Sequence, residues 1–239
     1  MPVIETCLSP MLFPARLLRK NFVVVVIDVL RATTAFAAAL DRGFGAIIPV
    51  FNVDVALQYK RSGYAVAAER DGDKLDFADF GNSPTGFLSS QHVADQLVYT
   101  TTNGTRAIKA AQAADELIAA SFSNLSAAAS WIEKTGKDTV ILCAGWKDTY
   151  SLEDTLCAGA LAAKLLPSGQ FTTGDDATLS AIQLWKSACD DLKGFVRNSS
   201  HYRRLVTKNL HDDLDYCFRI DTSLTVPQLV DGKLIKSTI

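Results

Sequence analysis

The sequence predicts an α/β protein of three layers, in which helices cover both faces of a largely parallel or mixed sheet. Short β-branched apolar runs alternate with Ala-rich runs of helical composition, and this order is typical of βαβ units. A weak internal repeat also appears at a shift of 72 residues, which places Thr33 on Thr105 and Asn52 on Asn124. We therefore expect two similar halves within a single α/β domain over residues 1–239.

The first part of the chain predicts three strands with helices between them. "FVVVVI" (22–27) is apolar at every position and is typical of a strand buried on both faces. "TTAFAAAL" (33–40) follows as a helix, with Thr33 or Thr34 as its N-cap. The next predicted elements are, in order, a strand at 45–50, a helix at 54–61 and a strand at 64–69.

The middle of the chain repeats this alternation. Ser83 before Pro84 is an N-cap followed by a proline at the first helical position. Strands are then expected at 96–101, 115–121 and 138–144, and helices at 104–113, 124–134 and 152–164.

The C-terminal third, from about residue 170 to 239, has a different composition. Residues 178–192 and 199–209 predict helices, and the remainder predicts one or two strands with loops. Because no Pro-, Gly- or Ser-rich linker precedes this third, we expect it to pack on the α/β body.

Bulk composition argues against several classes of protein. The net charge is −2 and the basic residues are scattered, which argues against a nucleic-acid-binding face. No run approaches the ~18 apolar residues of a membrane span, and no signal-peptide pattern is present, so we expect a cytoplasmic protein without membrane contact. Five widely spaced cysteines predict reduced thiols. For assembly we expect a homodimer, on base rates alone.

Polar residues cluster where the predicted strands end. In open parallel α/β sheets, ligands bind outside the carboxyl ends of the strands. The clusters are Asp28 with Arg31, Glu69 with Arg70, Asn82 with Ser83, the run Thr102 to Arg106, and the stretch 143–159 with Glu153 and Asp154. Their shared position predicts one ligand-binding crevice.

The run "TTTNGTRA" (100–107) has the features of an anion site. Asn103 and Gly104 supply a turn, and Thr102 or Asn103 can cap the next helix and leave its backbone N–H groups facing a ligand. Arg106 can add a planar fork for phosphate or sulfonate oxygens. The alternative is an ordinary capped helix with a surface arginine.

The acids suit a hard cation. Asp28, Glu69, Glu153 and Asp154 are hard oxygen donors, and such donors favour Mg²⁺, which keeps waters and shares substrate phosphate oxygens. Taken singly, each acid is more simply explained as a helix cap or a solvated charge, and the case for a metal rests on their shared position.

Several known motifs are missing. A haloacid-dehalogenase phosphatase needs a second Asp two residues after the strand-end acid, where this chain has Leu30. A cysteine phosphatase needs Cys-x5-Arg, but Thr149 stands six residues after Cys143. Nucleotide P-loop, dinucleotide and serine-hydrolase motifs are absent. The three histidines, His92, His201 and His211, are expected to be surface or helix residues, and the alternative for His211 is proton shuttling beside Asp212 and Asp213.

Taken together, "VVIDVLRATT", "AAERDG", "DFGNSPTGF", "TTTNGTRAI", the Asn124 turn, "CAG" with "SLEDTLCAG", and "VPQL" resemble the 2-phosphosulfolactate phosphatase family. The resemblance spans residues 24 to 229. It implies an α/β fold with two similar halves and a Mg²⁺-dependent phosphomonoesterase. The reaction it implies converts (R)-2-phospho-3-sulfolactate to 3-sulfolactate and phosphate, a step toward coenzyme M.

From these motifs we assign residue roles as hypotheses. Catalytic roles fall on Asp28, Arg31 and Glu69, and metal binding on Asp28, Glu153 and Asp154. Binding of the small polyanionic phosphate ester falls on Arg70, Asn82, Thr102, Asn103, Gly104, Thr105, Arg106, Asn124 and Gly145. Asp28 is either a metal ligand or a nucleophile that forms an aspartyl-phosphate. The alternatives are a phosphomonoesterase for a different small ester and a non-catalytic anion-binding protein.

Overall fold

A computed structural model of the chain describes residues 1–14, 21–147 and 149–237, and it confirms an α/β protein with a large mixed sheet flanked by helices. The strands are β1 Ile4–Cys7, β2 Phe22–Ile27, β3 Ala46–Pro49, β4 Ala65–Arg70, β5 Asp73–Lys74, β6 Gln96–Thr100, β7 Glu116–Ala120, β8 Asp138–Cys143, β9 Pro227–Val230 and β10 Lys233–Lys236. The helices are α1 Ala32–Arg42, α2 Val53–Arg61, α3 Pro84–Leu88, α4 Gly104–Ala111, α5 Leu125–Thr135, α6 Leu152–Leu165, α7 Asp176–Ala188, α8 Leu192–Val196, α9 Ser200–Thr207 and α10 His211–Cys217.

The sheet has the strand order β1-β8-β2-β7-β9-β10-β3-β6-β4-β5. Strands β1, β8, β2 and β7 are mutually parallel, and so are β3, β6 and β4. The hairpin β9–β10 joins the two sets, with antiparallel pairing inside the hairpin and on both of its sides. The two parallel sets therefore run in opposite directions.

The two parallel sets exchange their first strands. β2 lies between β7 and β8, and β6 lies between β3 and β4. β2 is the first strand of the stretch β2–β4, yet it pairs with β7 and β8 of the later stretch. Likewise β6, the first strand of the stretch β6–β8, pairs with β3 and β4 of the earlier one. The predicted duplication itself remains a prediction, although Thr33 and Thr105 each bond through their hydroxyl to the backbone at the preceding strand end.

Strand β2 explains why both faces of the sheet are covered. All six of its side chains are buried. Val23, Val25 and Ile27 enter a core with α5, α6 and α7, whereas Val24 and Val26 enter another core with α1 and α4. Because side chains alternate across a strand, this division places helices on opposite faces.

The observed elements correct several predicted boundaries. Helix α1 begins at Ala32 with Arg31 as N-cap, not at Thr33 or Thr34. Both threonines lie in the first turn, where their hydroxyls donate to the carbonyls of Asp28 and Val29. They satisfy strand-end carbonyls, so they do not cap the helix. Ser83 does cap α3 as predicted, and its hydroxyl accepts from Gly86 N.

The C-terminal third is more helical than the sequence indicates. The predicted helix at 178–192 is divided into α7 and α8, and α10 falls in a stretch that predicts strands and loops. The short strand β1 was not predicted either. No helix among the described residues is both long and apolar enough to cross a membrane. The single-domain assignment remains a prediction.

Candidate active site

The N-termini of α1 and α4 meet at one point. A Cβ added to Gly104 would lie 2.4 Å from the Ala32 Cβ and 2.9 Å from Asp28 Oδ2. The strands that lead into these helices belong to sets of opposite direction, so a flat sheet would keep their ends apart. Twist of about 20–25° per strand accumulates between β2 and β6, and we attribute the meeting of the two ends to it.

A narrow polar cleft lies at this junction. Its walls are formed by Asp28, Leu30, Arg31, Glu69, Gly72, Asn82, Thr101, Asn103, Trp146, His201, Arg204 and Leu205. Five of the predicted site residues are therefore brought together, namely Asp28, Arg31, Glu69, Asn82 and Asn103. They come from the ends of β2, β4 and β6 and from the loop before α3.

Asp28 is a buried carboxylate at the centre of this junction. It is 6% exposed, and its Oδ1 accepts only a long hydrogen bond, 3.4 Å, from Ala32 N among the described contacts. The pKa of Asp28 is raised to about 6, chiefly by burial and also by the nearby charges of Glu69 and Glu153, while His201 and the Ala32 N–H oppose the rise. The carboxylate is thus an acid without a close cationic partner.

Glu69 holds two backbone turns together. Its Oε2 accepts from Gly72 N at 2.6 Å, and its Oε1 accepts from Thr102 N at 2.7 Å. Each of its oxygens therefore has a partner, and Glu69 joins the turn after β4 to the loop before α4. This geometry supports a positioning role for a residue that the sequence placed among the catalytic groups.

Arg31 is held by a residue from the C-terminal helices. Its Nη1 donates to Asp213 Oδ2 at 2.5 Å, and its Nη2 donates to the carbonyl of Gly72 at 3.1 Å. Both members of the ion pair are 3% exposed. The Oδ1 of Asp213 also accepts from the hydroxyls of Ser83 and Thr85. Arg31 is therefore buried with its charge neutralised.

Glu153 and His201 form a second buried pair. His201 Nδ1 lies 2.6 Å from Glu153 Oε1, and the His201 ring packs on Trp146 with centroids 5.2 Å apart. Burial raises the pKa of Glu153, but the hydrogen bond and charge of His201 outweigh burial and lower it overall. With Nδ1 engaged, Nε2 is the ring nitrogen left for a ligand in the cleft.

The carboxylate of Asp154 accepts hydrogen bonds from the backbone around the cleft. Its Oδ1 accepts from Val29 N at 2.9 Å, and its Oδ2 accepts from Gly145 N at 3.1 Å. Burial raises the pKa of Asp154 well above its usual range, and repulsion from Asp28 and Glu153 adds to this. Asp154 thus ties the loop after β8 to the segment that carries Asp28.

The predicted metal ligands do not converge as a set. In the ranges that the structure covers, no group of three or more His, Cys, Asp or Glu side chains is placed to hold a metal ion. Glu153 and Asp154 are engaged as described above. Mg²⁺ needs only one or two carboxylates with waters and phosphate oxygens, and Asp28, buried among other acids, fits that requirement.

Some predicted ligands lie outside the cleft. Arg70 donates to the Glu69 carbonyl and to Thr100 Oγ1. Asn124 is bound to the backbone of Ser121, Ala119 and Thr225. Gly145, with φ of +67°, would place a Cβ 2.2 Å from the Thr149 carbonyl, so it serves a tight turn.

Residues of the "TTTNGTRA" run also differ from expectation. Asn103 is the N-cap position of α4 but makes no capping bond, and its side-chain oxygen accepts instead from Lys147 N at 3.1 Å. The Thr102 hydroxyl accepts from Asp71 N in the turn after β4, and the Thr105 hydroxyl donates to the Thr101 carbonyl. Arg106 is exposed and lines a different depression, with Phe51 and Lys109. Its predicted role in substrate binding gains no support from this placement.

Four residues of the site were not identified from the sequence. Asp213 and Trp146 were not selected, His201 was taken for a surface or helix histidine, and Arg204 was one arginine among many. Arg204 stacks on Trp146, with its Cζ 3.3 Å from the ring centroid. The three from α9 and α10 follow no buried strand, so position along the chain gives no signal for them.

Comparisons with known proteins identify the family of the chain. A sequence profile of 2-phosphosulpholactate phosphatase matches residues 7–232. The chain is 36% identical over 213 residues to a protein of Caldanaerobacter subterraneus subsp. tengcongensis named probable 2-phosphosulfolactate phosphatase, covering 87% of this chain and 88% of the relative. A protein of the same name from Thermotoga maritima is 37% identical, covering 88% of this chain and 90% of the relative. Another from Clostridium acetobutylicum is 34% identical, covering 90% of this chain and 93% of the relative. The chain therefore belongs to the 2-phosphosulfolactate phosphatase family, whose members are phosphoric monoester hydrolases.

Proposed function

We propose that the chain is a Mg²⁺-dependent phosphatase that hydrolyses (R)-2-phospho-3-sulfolactate to 3-sulfolactate and inorganic phosphate. The observation that carries this proposal is the buried, cation-poor carboxylate of Asp28 at the junction of two helix N-termini. The names of the relatives supply the substrate. We place the reaction in the cytoplasm, in a route toward coenzyme M.

The junction of α1 and α4 suits a phosphoryl group. Helix N-termini carry unpaired backbone N–H groups and a partial positive charge, and both favour phosphate oxygens. Asn82 and Thr101 add polar side chains to the same wall of the cleft. In this position the phosphorus would lie beside Asp28.

Two routes fit Asp28. In the first, its carboxylate attacks phosphorus, the P–O bond to the alcohol breaks, and water later hydrolyses the aspartyl-phosphate. In the second, Asp28 holds Mg²⁺ and a water attacks phosphorus directly. In both routes the products are the alcohol and phosphate. Reduction of a quenched reaction with borohydride, followed by peptide mass analysis at position 28, separates them because only an acyl phosphate is reduced.

His201 is placed to handle the proton of the leaving group. Glu153 holds Nδ1, as the carboxylate does in other carboxylate–histidine pairs, and so fixes the orientation of a ring that lines the cleft. A proton on Nε2 can pass to the ester oxygen as the P–O bond breaks. The alcohol then leaves as a neutral hydroxyl.

Mg²⁺, when bound, would neutralise phosphate charge and polarise the P–O bonds. In the second route Asp28 would hold it, together with waters and substrate oxygens. Arg31 and Asp213 keep the Asp28 segment in place by joining it to α10.

The test is phosphate release from (R)-2-phospho-3-sulfolactate and a panel of other phosphomonoesters, with Mg²⁺ and with EDTA. We expect release with Mg²⁺, its loss in EDTA and its recovery when Mg²⁺ is restored. Equal rates in EDTA would contradict the metal assignment. A larger kcat/KM for an ester without sulfonate would favour the alternative substrate, and no release from any ester would favour a non-catalytic anion-binding protein.

A further inference from the structure

Arg204, on α9, is a cation of the cleft that the proposed chemistry leaves unused. Its guanidinium lies flat against the Trp146 ring, at 3.3 Å, and lines the cleft together with Asp28 and Asn82. Stacking on an indole restricts the rotation of a long side chain, so the planar fork is held in one orientation before any ligand arrives.

The guanidinium has unused donors. Its Nε is buried and has no hydrogen-bond partner within the ranges that the structure describes. Glu69, Asp71 and Glu153 act on its charge at a distance, but each is bound elsewhere. Glu69 accepts two backbone N–H groups, Asp71 pairs with Lys147, and Glu153 pairs with His201. A buried donor without a partner is unfavourable.

The other arginines near the cleft cannot serve in the same way. Arg31 is committed to Asp213 and to a backbone carbonyl. Arg70 donates to the Glu69 carbonyl and to Thr100. An anionic group that enters the cleft therefore meets Arg204 as its available bidentate partner.

We propose that Arg204 binds the acidic group on the alcohol part of the substrate, and so selects phosphate esters of hydroxy acids over esters of uncharged alcohols. This inference rests on the proposed function. A carboxylate or sulfonate beside the ester carbon presents oxygens at the spacing of a guanidinium fork. The phosphoryl group lies at the α1–α4 junction, and the second anion lies on the α9 side of the cleft.

The experiment compares four proteins on three esters. The proteins are the parent chain, Arg204→Gln, Arg204→Lys and the matched control Arg203→Gln, whose side chain is exposed on the same helix. The esters are 2-phospholactate, which keeps only the carboxylate, 1-sulfopropan-2-yl phosphate, which keeps only the sulfonate, and isopropyl phosphate, which has neither. The measured quantity is kcat/KM for each charged ester divided by that for isopropyl phosphate.

We expect Arg204→Gln to lower this ratio at least about 30-fold, mainly through KM, as loss of a charged hydrogen bond predicts. The ratio for Arg204→Lys should lie between those of the parent and of Arg204→Gln, because lysine keeps the charge but loses the stacked planar fork. Arg203→Gln should keep the parent ratio. The charged ester whose kcat/KM ratio falls more in Arg204→Gln identifies the acidic group that Arg204 binds.

Three results would overturn the assignment. An equal loss on all three esters would mean that Arg204 contacts the phosphoryl group. An unchanged kcat/KM ratio in Arg204→Gln would mean that Arg204 does not distinguish charged from uncharged esters. The same loss in Arg106→Gln but not in Arg204→Gln would return the role to Arg106.

A binding measurement separates this inference from the phosphatase proposal. 3-Sulfolactate carries both acidic groups and no phosphate, so its affinity can be measured by calorimetry whether or not any ester is hydrolysed. We expect the affinity to fall at least about 30-fold in Arg204→Gln. If no ester is hydrolysed but this loss is seen, the phosphatase proposal fails and the Arg204 site stands. If hydrolysis proceeds and the affinity is unchanged, the phosphatase proposal stands and the Arg204 assignment fails.

Discussion

A carboxylate that is buried without a cation is unfavourable for folding, and Asp28 is such a residue. Its position directly after a buried strand made it the first candidate in the sequence. What the sequence could not show is the absence of a close cationic partner, since that depends on which side chains other segments bring. The raised pKa of Asp28 follows from burial first and from neighbouring acids second.

Asp28→Asn should lower kcat at least ~100-fold with the fold retained, because the amide keeps the shape but can neither carry the charge nor act as a nucleophile. Phosphate release under saturating substrate measures kcat, and circular dichroism checks the fold. Activity within a few-fold of the parent protein would remove Asp28 from both proposed routes.

The same substitution should stabilise the protein above neutral pH. Asp28 has a pKa of about 6 in the folded chain and 3.8 when unperturbed, so the folded state binds the proton more tightly. Its contribution to stability is therefore present below about pH 4 and is lost as pH rises through about 6. The free energy of unfolding of Asp28→Asn, minus that of the parent, should grow by about 3 kcal/mol between pH well below 4 and pH well above 6.

Urea titrations of both proteins at about pH 4, 5, 6 and 7 measure this difference, with a constant difference as the contrary result. Exposed Asp212→Asn is the matched control, and it should show no such growth. A gain in stability together with a loss of activity would identify Asp28 as a residue kept for function at the expense of folding.

At the scale of elements, strands and their following helices were predictable because apolar runs and Ala-rich runs are local features. β2, β6 and β8 all fall within or close to the predicted ranges. The site residues that follow strands, among them Asp28, Glu69 and Asn103, were found for the same reason. The contribution of α9 and α10 was not predictable, because tertiary packing alone decides which faces of these short helices reach the cleft.

Gly104→Ala tests the junction of α1 and α4. The added methyl would meet Ala32 and Asp28 at distances well inside van der Waals contact, and neither helix start can move freely. We expect a loss of about 1–3 kcal/mol in the free energy of unfolding, as for other overpacked sites, and a lower kcat because Asp28 is displaced.

Gly174→Ala is the control for this change, since a Cβ there meets nothing within 4 Å. Urea unfolding and phosphate release on both variants give the comparison. If Gly104→Ala behaves like Gly174→Ala, the two helix starts are not in firm contact, and the description of the junction is wrong.

At the scale of the whole molecule, the C-terminal third completes the site. Asp213 of α10 binds Arg31 from the segment after β2, and Ser83 and Thr85 from the start of α3. A single buried carboxylate therefore joins three distant stretches of the chain. This explains how a helix absent from the sequence prediction fixes the position of an arginine that the sequence singled out.

Asp213→Ala should destabilise the chain by about 3–5 kcal/mol, because it leaves the buried charge of Arg31 without a partner. Exposed Asp212→Ala, one residue earlier, should change the free energy of unfolding by less than about 0.5 kcal/mol. Chemical denaturation measures both. Similar small effects in the two variants would show that the Arg31–Asp213 pair contributes little to holding the segments together.

The exchange of first strands has a consequence for how the chain is made. β2 finds its neighbours only when residues up to Cys143 have left the ribosome, because its partners are β7 and β8. Until β7 has been made, both edges of this strand of four consecutive valines are open, and such edges invite aggregation. Pairings between distant segments also form slowly. The nascent chain must therefore stay unfolded through more than half of its synthesis, and a fragment that ends before β7 should be insoluble.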